Sequence, residues 1–246
     1  MQPKPFTTVW TRERKGRREQ GLSRDQIVRA ALDLLDAEGL DALSMRKLGA
    51  RLGAGATSLY WHVANKDELI ELVMDEVYAK VVVPDGTQWQ EAARVFSYGM
   101  RAAILDHPWC AGLIGIVPAL GPNAMTAADR LLGAFSGAGF QGTDVDYAMT
   151  AVISYTLGAT VPEVAWLSAL RESGRDVAGL QAAVAPVIEE LSAGWPNLRD
   201  RYVAYSVKDI DPIAARRIAF EYGLTALLDG LAARIASADS THSPAG

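Results

Sequence analysis

The sequence has one cysteine, Cys110, and three histidines, His62, His107 and His242. A single cysteine excludes an intramolecular disulfide, and so few histidines leave too few ligands for a structural zinc site. His107 and Cys110 are separated by Pro108, and no third ligand accompanies them. We therefore predict neither a metal nor any other cofactor.

Catalytic signatures are missing as well. The sequence contains no glycine-rich phosphate loop, no HExxH or CxxC motif and no nucleophile elbow around a serine. With so few cysteines and histidines, little remains from which to build a nucleophile and its base. We predict that the protein is not an enzyme.

Long apolar runs are also lacking. The longest uncharged stretch, residues 107–128, contains Pro108, Pro118 and Pro122, which suit loops and short helices better than a membrane span. No charged stretch followed by an apolar run opens the chain, so we predict no secretion signal. A soluble, cytoplasmic protein is the expectation.

Charge is divided unevenly along the 246 residues. Residues 1–66 carry 12 Lys and Arg against 7 Asp and Glu, whereas residues 67–246 carry 12 against 22. A basic head on an acidic body is typical of a protein that meets phosphate with its head alone, although the same split can arise from solvated faces. Half of the residues are hydrophobic, which is enough for a packed core in one large domain or two small ones.

Helical periodicity and capping residues occur along most of the chain, and alternating strand patterns do not. In the first 80 residues the predicted caps are Ser23, Ser44 and Asn65, and the helices cover about 24–38, 45–52, 57–63 and 66–80. The remaining helices are predicted at about 88–106, 109–115, 122–138, 144–170, 177–192 and 211–236. The fold class is therefore all-α.

Residues 44–63 describe two short helices joined by a turn that contains Gly53 and Gly55, which is the helix-turn-helix pattern. Ala50 is small, and we predict that it lets the two helices cross closely. Apolar residues four apart are predicted to face inward: Leu48 with Leu52, and Leu59 with Val63.

That packing leaves five residues nearer the outer face of the second helix: Thr57, Ser58, Tyr60, Trp61 and His62. An aromatic residue on a short helix usually packs inward, so Trp61 has a purely structural interpretation too. Three adjacent residues cannot all face the core, however, and at least one of residues 60–62 must project outward. Hydroxyl and imidazole groups beside basic residues suit contacts to phosphates and base edges.

The stretch from about Ser23 to Lys80 resembles the DNA-binding domain of the tetracycline-repressor (TetR) family. Residues 59–69 (LYWHVANKDEL) match the family's recognition helix and the start of its fourth helix, and residues 43–48 (LSMRKL) match its second helix. The body, including His107-Pro108-Trp109, resembles the tetracycline-repressor-type C-terminal domain more loosely. The resemblance implies a sequence-specific transcriptional regulator, a repressor that a small-molecule ligand releases from its operator.

The resemblance also implies a role for each matching residue. Arg46 approaches DNA, residues 57–62 other than Leu59 lie in or beside the major groove, and Lys66 grips a phosphate. The last role also follows from chemistry, since a helix N-terminus and a cation coincide there. We expect Tyr60 to contact a phosphate through its hydroxyl. Gly55-Ala56-Thr57 departs from the tetracycline repressors and supplies few long side chains, so their operator sequence does not carry over.

Four regions follow: a basic mobile arm (1–21), the helix-turn-helix DNA-binding domain (22–80), a helical ligand-binding and dimerisation domain (81–236) and a disordered tail (237–246). In the arm, five basic residues are the predicted contacts to a neighbouring minor groove or to phosphates: Arg12, Arg14, Lys15, Arg17 and Arg18. The alternative is a tail that only aids solubility.

A duplex operator is usually read by a dimer, and a single small reading helix makes too few contacts alone. Residues 144–170 and 211–236 are the expected dimer helices of a homodimer, paired in a four-helix bundle. Apolar and small residues at helical spacing mark the face: Met149, Val152, Thr156, Phe220, Leu224, Leu227 and Leu231. The alternative is that both stripes belong to the intramolecular core. A DNA-coating protein without sequence preference is a less favoured interpretation, because it would not need a large apolar body.

Aromatic and soft residues in the body suggest an apolar pocket for an inducer. The candidates are Trp89, Phe96, Met100, His107, Trp109, Met125, Phe135, Tyr155 and Trp166, and core packing is the alternative for each. The metal-binding arrangement of tetracycline repressors is not recognisable in this sequence.

Bound ligand is expected to shift the population of the dimer toward a conformation of the body in which the two DNA-binding domains no longer match the operator spacing. Helix 66–80 is the expected lever, with Asp67, Glu68 and Glu71 either touching the body or solvated.

Overall fold

A computed structural model describes residues 8–12, 22–206 and 211–241. Its helices are α1 (Arg24–Glu38), α2 (Met45–Arg51), α3 (Ala56–Leu59), α4 (Lys66–Tyr78), α5 (Trp89–Asp106), α6 (Pro122–Gly137), α7 (Thr143–Glu172), α8 (Val177–Leu191), α9 (Pro196–Ser206) and α10 (Pro212–Thr241). Short 3₁₀ helices cover Leu40–Ala42, Pro108–Gly112 and Ser192–Gly194. Within the described ranges extended pairing is limited to one isolated bridge, and the all-α prediction is confirmed.

The predicted caps begin the helices for the reason given by the sequence. The Ser23 hydroxyl accepts the Gln26 backbone N–H, and the Gln26 side chain accepts the Ser23 N–H in return. Ser44 caps α2 and Asn65 caps α4 by accepting the N–H three residues later. Each cap satisfies a donor that the first helical turn leaves unpaired.

Four stretches differ from the prediction. Residues 109–115, predicted as a helix, form a 3₁₀ helix at Pro108–Gly112 followed by turns. The third helix ends at Leu59 instead of near residue 63, and the chain continues in turns. Helix α9 was not predicted, because its largely polar residues show little apolar periodicity. Helix α10 continues to Thr241, so the prediction that residues 237–241 are disordered is wrong, while residues 242–246 lie outside the described part.

The chain divides by packing into two compact units, Met1–Ser154 and Tyr155–Gly246. In the first unit α1 packs on α2 and α4, and α4 packs in turn on α5 and α6. The predicted division after residue 80 therefore lies inside one compact unit, and as a division by function it stays a prediction. Apolar residues of every helix in this unit meet in its core, among them Ile27, Leu34, Leu48, Leu59, Leu69, Ile104 and Leu131.

The second unit is built around the buried stripe of α10. Phe220, Leu224, Leu228 and Leu231 recur every three or four residues and are buried. The Tyr155 hydroxyl donates to the Phe220 carbonyl at 2.8 Å. Gly223 faces this ring so closely that a Cβ there would lie 2.3 Å from the Tyr155 oxygen, so a larger residue would require the Tyr155 ring to move. In contrast, α8 has no buried residue.

Candidate nucleic-acid interface

Two glycines allow the tight turn between α2 and α3, one by its backbone conformation and one by its lack of a side chain. Gly53 has φ +64°, a left-handed conformation that glycine adopts without strain. Gly49 is buried, and a Cβ on it would lie 2.8 Å from the Ala54 carbonyl oxygen. The prediction that Ala50 provides the close crossing is wrong, because Ala50 is exposed and Gly49 makes the close approach.

The inner face of the motif matches the prediction at three of its four apolar positions. Leu48, Leu59 and Val63 have no exposed surface, whereas Leu52 is half-buried. Because Leu59 and Val63 point inward, the residues between and beside them are presented outward.

The outer face carries the side chains predicted to meet DNA. Arg46, Thr57 and Ser58 are exposed, and His62 and Lys66 are half-buried. Tyr60 is 50% exposed and Trp61 is 78% exposed. The alternative that Trp61 packs into the core is therefore wrong. Two adjacent aromatic side chains on the surface of this short stretch, residues 56–62, which we call the reading segment, are typical of a binding face.

The N-terminus of α4 lies next to this face. Lys66 is the first residue of the helix, directly after the Asn65 cap. The Glu68 carboxylate turns back and accepts the Ala64 N–H at 2.8 Å and the Arg12 guanidinium at 2.8 Å. The positive end of the helix and the Lys66 ammonium thus coincide at the edge of the outer face, an arrangement that suits a phosphate.

Part of the predicted mobile arm is packed on this domain. Residues 8–12, which we call the N-terminal strap, contact α4 and the residues that follow α3. The prediction of a mobile arm is wrong for the strap. Glu68 and Glu71 bond to the strap, a contact that was not predicted, and Asp67 is exposed. Outside the described residues lie the other four predicted arm contacts: Arg14, Lys15, Arg17 and Arg18.

Two aspartates that sequence reasoning missed tie the head to the helices after it. In α1, Asp36 Oδ1 accepts both the His107 Nδ1–H and the Trp109 Nε1–H at 2.7 Å. In α4, the buried Asp75 carboxylate accepts the backbone N–H of Asn123 at 3.2 Å and that of Ala124 at 3.0 Å.

Asp75 thereby caps α6, whose own cap position is Gly121 and has no side chain to offer. The sequence signal was the start of α6 itself: Gly121-Pro122 opens a helix with no capping side chain, which indicates a cap from elsewhere in the fold.

The predicted ligand residues of the first unit lie in several places. Trp89 and Phe135 pack edge to face at 5.3 Å between ring centroids, and Phe140 lies 5.2 Å from each. Phe96 and Met100 are buried on α5, whereas Met125 is 53% exposed. His107 and Trp109 meet at Asp36.

A shallow cleft between α4 and residues 117–124, too small to enclose a water molecule, is lined by none of these candidates. In the second unit, Tyr155 is bonded to α10 and the Arg216 guanidinium lies 4.4 Å from the centre of the Trp166 ring.

The predicted dimer residues are mostly taken up by packing within the chain. Val152, Thr156, Phe220, Leu224 and Leu231 are buried, so the expectation that they form a dimer face is wrong for these five. Met149 and Leu227 are half-buried. The exposed large apolar residues on α7 and α10 are others: Tyr147, Ile213, Ile218 and Tyr222.

Cys110 lies in the core of the first unit with no exposed surface. Burial, with a further contribution from the Asp36 charge, raises the pKa of its thiol to about 12. Burial likewise raises the pKa of Tyr78. A thiol that stays protonated at neutral pH is unreactive, so Cys110 serves packing. Within the described ranges no three His, Cys, Asp or Glu side chains are grouped to hold a metal, and no helix there is long and apolar enough to cross a bilayer.

Comparison with known proteins places both parts of the chain. Residues 27–73 match the model described as bacterial regulatory proteins, tetR family, and residues 83–235 match that of the tetracyclin repressor-like C-terminal domain. An HTH-type transcriptional regulator of Saccharopolyspora erythraea is 39% identical over 199 residues, 80% of this chain and 82% of the relative.

The class A tetracycline repressor of Escherichia coli transposon 1721 is 32% identical over 218 residues, 87% of this chain and 92% of the repressor. The crystal structure of Streptomyces coelicolor ActR in complex with actinorhodin is similar with a TM-score of 0.69 and 30% identity, covering 87% of this chain and 99% of ActR. The chain belongs to the tetR family of bacterial regulatory proteins and is a DNA-binding transcriptional regulator.

Proposed function

We propose that this regulator represses transcription as a homodimer that binds a palindromic operator, and that a small molecule releases it. One observation carries the DNA-binding part: Leu59 and Val63 are fully buried, while Tyr60 and Trp61 between them project into solvent. Exposed apolar surface on a protein often marks an interaction site. The exposed pair of aromatic side chains therefore indicates a surface that binds a partner.

The chemistry of the outer face suits duplex DNA. Thr57 and Ser58 at the start of α3 have hydroxyls that donate to or accept from base edges and phosphates, and Trp61 offers an apolar surface to a thymine methyl group. Tyr60 reaches a phosphate through its hydroxyl. Arg46 and Lys66 supply the charge that neutralises phosphates. In the arm, Arg14 and Arg17 add contacts on the flank of the operator.

The apolar surface left on the second unit supports a homodimer. Ile218 and Tyr222, one turn apart on α10, are 61% and 78% exposed. On α8, Val184, Val187 and Leu191 are exposed as well. Burial of such residues against a second copy would contribute roughly 25 cal/mol for each Å² of apolar surface removed from water. A dimer also provides the two reading heads that a palindrome requires.

Release by a ligand is supported by the surroundings of His107. Its Nδ1 bonds to Asp36 at 2.7 Å, and its Nε2 is buried with no hydrogen-bond partner among the described residues. An unsatisfied buried polar atom costs about 1–3 kcal/mol, so a ligand whose polar group bonds to Nε2 would gain affinity there. Asp36 connects the same ring to α1 of the head, and a ligand that moves His107 would shift the head between two states.

The experiment that tests DNA binding is selection of bound sequences from a random duplex library, followed by sizing of the complex. A palindromic motif bound by two copies of the chain supports the proposal. Binding without sequence preference would favour the coating role, and failure to enrich any sequence would contradict the proposal.

On the selected operator, Lys66→Ala is expected to weaken binding about tenfold and to reduce the salt dependence of binding by about one ion, because one phosphate contact is lost. Equilibrium binding at several salt concentrations measures both. Lys80→Ala is the matched control: Lys80 follows the same helix at its other end and pairs with Asp106 at 3.1 Å. If the two substitutions weaken operator binding equally, the role assigned to Lys66 is contradicted.

For the ligand, His107→Asn is the informative change, because an asparagine amide still donates to Asp36 but provides no polar atom at the Nε2 position. We expect operator affinity to stay within about threefold, and the ligand concentration that releases the operator to rise at least about tenfold. Tetracycline and actinorhodin are the first probes, because a relative is a tetracycline repressor and the similar ActR structure holds actinorhodin. Release that the substitution leaves unchanged would place the ligand elsewhere.

A further inference from the structure

We infer that the N-terminal strap is part of the DNA-reading apparatus, and that Arg12 is a positioning residue that holds the reading segment in register with α4. This inference rests on the proposed binding of operator DNA. It concerns residues that precede the helix-turn-helix by more than thirty positions in the sequence and meet it only in the fold.

The strap is anchored on α4 by its first two residues. The Thr8 hydroxyl and the Val9 backbone N–H both donate to the Glu71 carboxylate, the latter at 3.1 Å. Thr8 and Val9 are 6% and 4% exposed, which is the burial of core residues and not of a solvated tail. The Thr11 N–H donates to the Thr8 carbonyl at 3.3 Å and closes a turn. The strap is thus a formed element with its own packing.

That turn directs Arg12 to the end of the reading segment. One terminal nitrogen of its guanidinium donates to the His62 carbonyl at 3.0 Å, and the other pairs with Glu68 at 2.8 Å. The same Glu68 carboxylate accepts the Ala64 N–H. One guanidinium and one carboxylate therefore bind the chain on both sides of Val63, where it passes from the reading segment into α4.

The reading segment depends on such support. Helix α3 has four residues, and a single helical turn is not stable without tertiary contacts. Tyr60, Trp61 and His62 follow it in turns that the His62 and Val63 N–H groups close on the Leu59 carbonyl. The bond from Arg12 to the His62 carbonyl holds the end of these turns. The only contacts described for that carbonyl outside the segment come from the strap.

The ion pair that Arg12 forms with Glu68 is partly buried. The Glu68 side chain is 13% exposed and that of Arg12 is 39% exposed, so the pair is partly shielded from the screening that weakens surface ion pairs.

Positioning and direct phosphate contact by Arg12 predict different salt behaviour. If Arg12 only positions the reading segment, its loss lowers affinity for the operator and leaves affinity for unrelated duplexes nearly unchanged. The salt slope then stays the same, because no phosphate contact disappears. If Arg12 binds phosphate itself, affinity for all duplexes falls together and the slope decreases by about one.

The test compares the full-length protein with Arg12→Ala, Glu68→Gln and the double variant, using the selected operator and an unrelated duplex of equal length. Arg171→Ala is the matched control, because the described hydrogen bonds of Arg171 stay within its own helix. We expect Arg12→Ala to weaken operator binding about tenfold, to change binding of the unrelated duplex less than threefold, and to leave the salt slope unchanged.

Glu68→Gln keeps an acceptor for the Ala64 N–H but loses the charge, so it provides a second, milder break of the same link. We expect the loss in the double variant to be clearly smaller than the two single losses combined, since both changes break one link. Unchanged operator affinity in both single variants, or a uniform loss with a lower salt slope, would overturn the inference. Failure of the unaltered protein to select any operator would instead refute the proposed function.

Discussion

Gly49→Val is expected to weaken operator binding strongly while the rest of the chain stays folded. A Cβ at this position lies 2.8 Å from the Ala54 carbonyl oxygen and 3.2 Å from the Ala56 nitrogen. Both are backbone atoms, so no flexible side chain can move aside. The turn must open, and the reading segment that follows it must shift relative to α2. Overpacking of this kind costs about 1–3 kcal/mol, and we expect operator affinity to fall by up to about 100-fold, since each 1.4 kcal/mol is tenfold.

Ala50→Val is the matched control, because Ala50 is the next residue of the same helix and is exposed. It adds the same branched side chain without the clash, and its operator affinity is expected to remain within about threefold. Folding of the first unit is checked by labelling with a thiol reagent at neutral pH, since Cys110 is the only cysteine and its pKa is raised to about 12 by burial. Equal operator affinity of Gly49→Val and Ala50→Val would contradict the assigned role of Gly49.

The helix starts in the DNA-binding domain could be predicted from the sequence, because the residues that cap each helix lie within three positions of the groups they bond. Ser23, Ser44 and Asn65 each begin a helix by bonding a backbone N–H three residues on, and this chemistry is readable without the fold. The inward direction of Leu59 and Val63 likewise follows from helical spacing alone. Exposure of Tyr60 and Trp61 was therefore predictable from the residues that flank them.

Contacts between distant residues were not predictable in the same way. Arg12 meets Glu68, Asp36 meets His107, and Asp75 meets Asn123, and each pair is far apart in the sequence. Without its partner, a charged residue in the sequence is expected to face solvent. The sequence therefore predicts a mobile arm where the structure has the strap. Its burial depends on a groove beside α4 that exists only after the helices pack.

The prediction of the dimer residues was wrong at five positions for a related reason. Apolar spacing identifies the buried face of a helix but does not say what buries it. On α10 the stripe of Phe220, Leu224 and Leu231 is buried within the chain. The residues left for a partner, Ile218 and Tyr222, lie off that stripe and could be recognised only once its burial was known.

The second large effect is expected at Asp75, the buried carboxylate that caps α6 from α4. Asp75→Ala removes the acceptor for the N–H groups of Asn123 and Ala124 and for the Asn123 side-chain amide. Loss of a helix cap costs about 0.5–2 kcal/mol, and leaving buried donors unsatisfied adds about 1–3 kcal/mol. We expect the free energy of unfolding to fall by about 2–4 kcal/mol, measured by denaturant unfolding followed by circular dichroism.

Glu76→Ala is the matched control, because Glu76 is the neighbouring residue on α4 and is exposed, and its effect is expected within about 0.5 kcal/mol. Asp75→Asn separates charge from size: its amide keeps one acceptor oxygen but turns a donor toward the Asn123 donors, so we expect an intermediate loss. Similar unfolding free energies for Asp75→Ala and Glu76→Ala would show that α6 is capped adequately without Asp75. The expected difference would establish that α4, which carries Lys66 at its first residue, is fastened at its other end to α6, so that a displacement of α6 reaches the phosphate-binding end through one continuous helix.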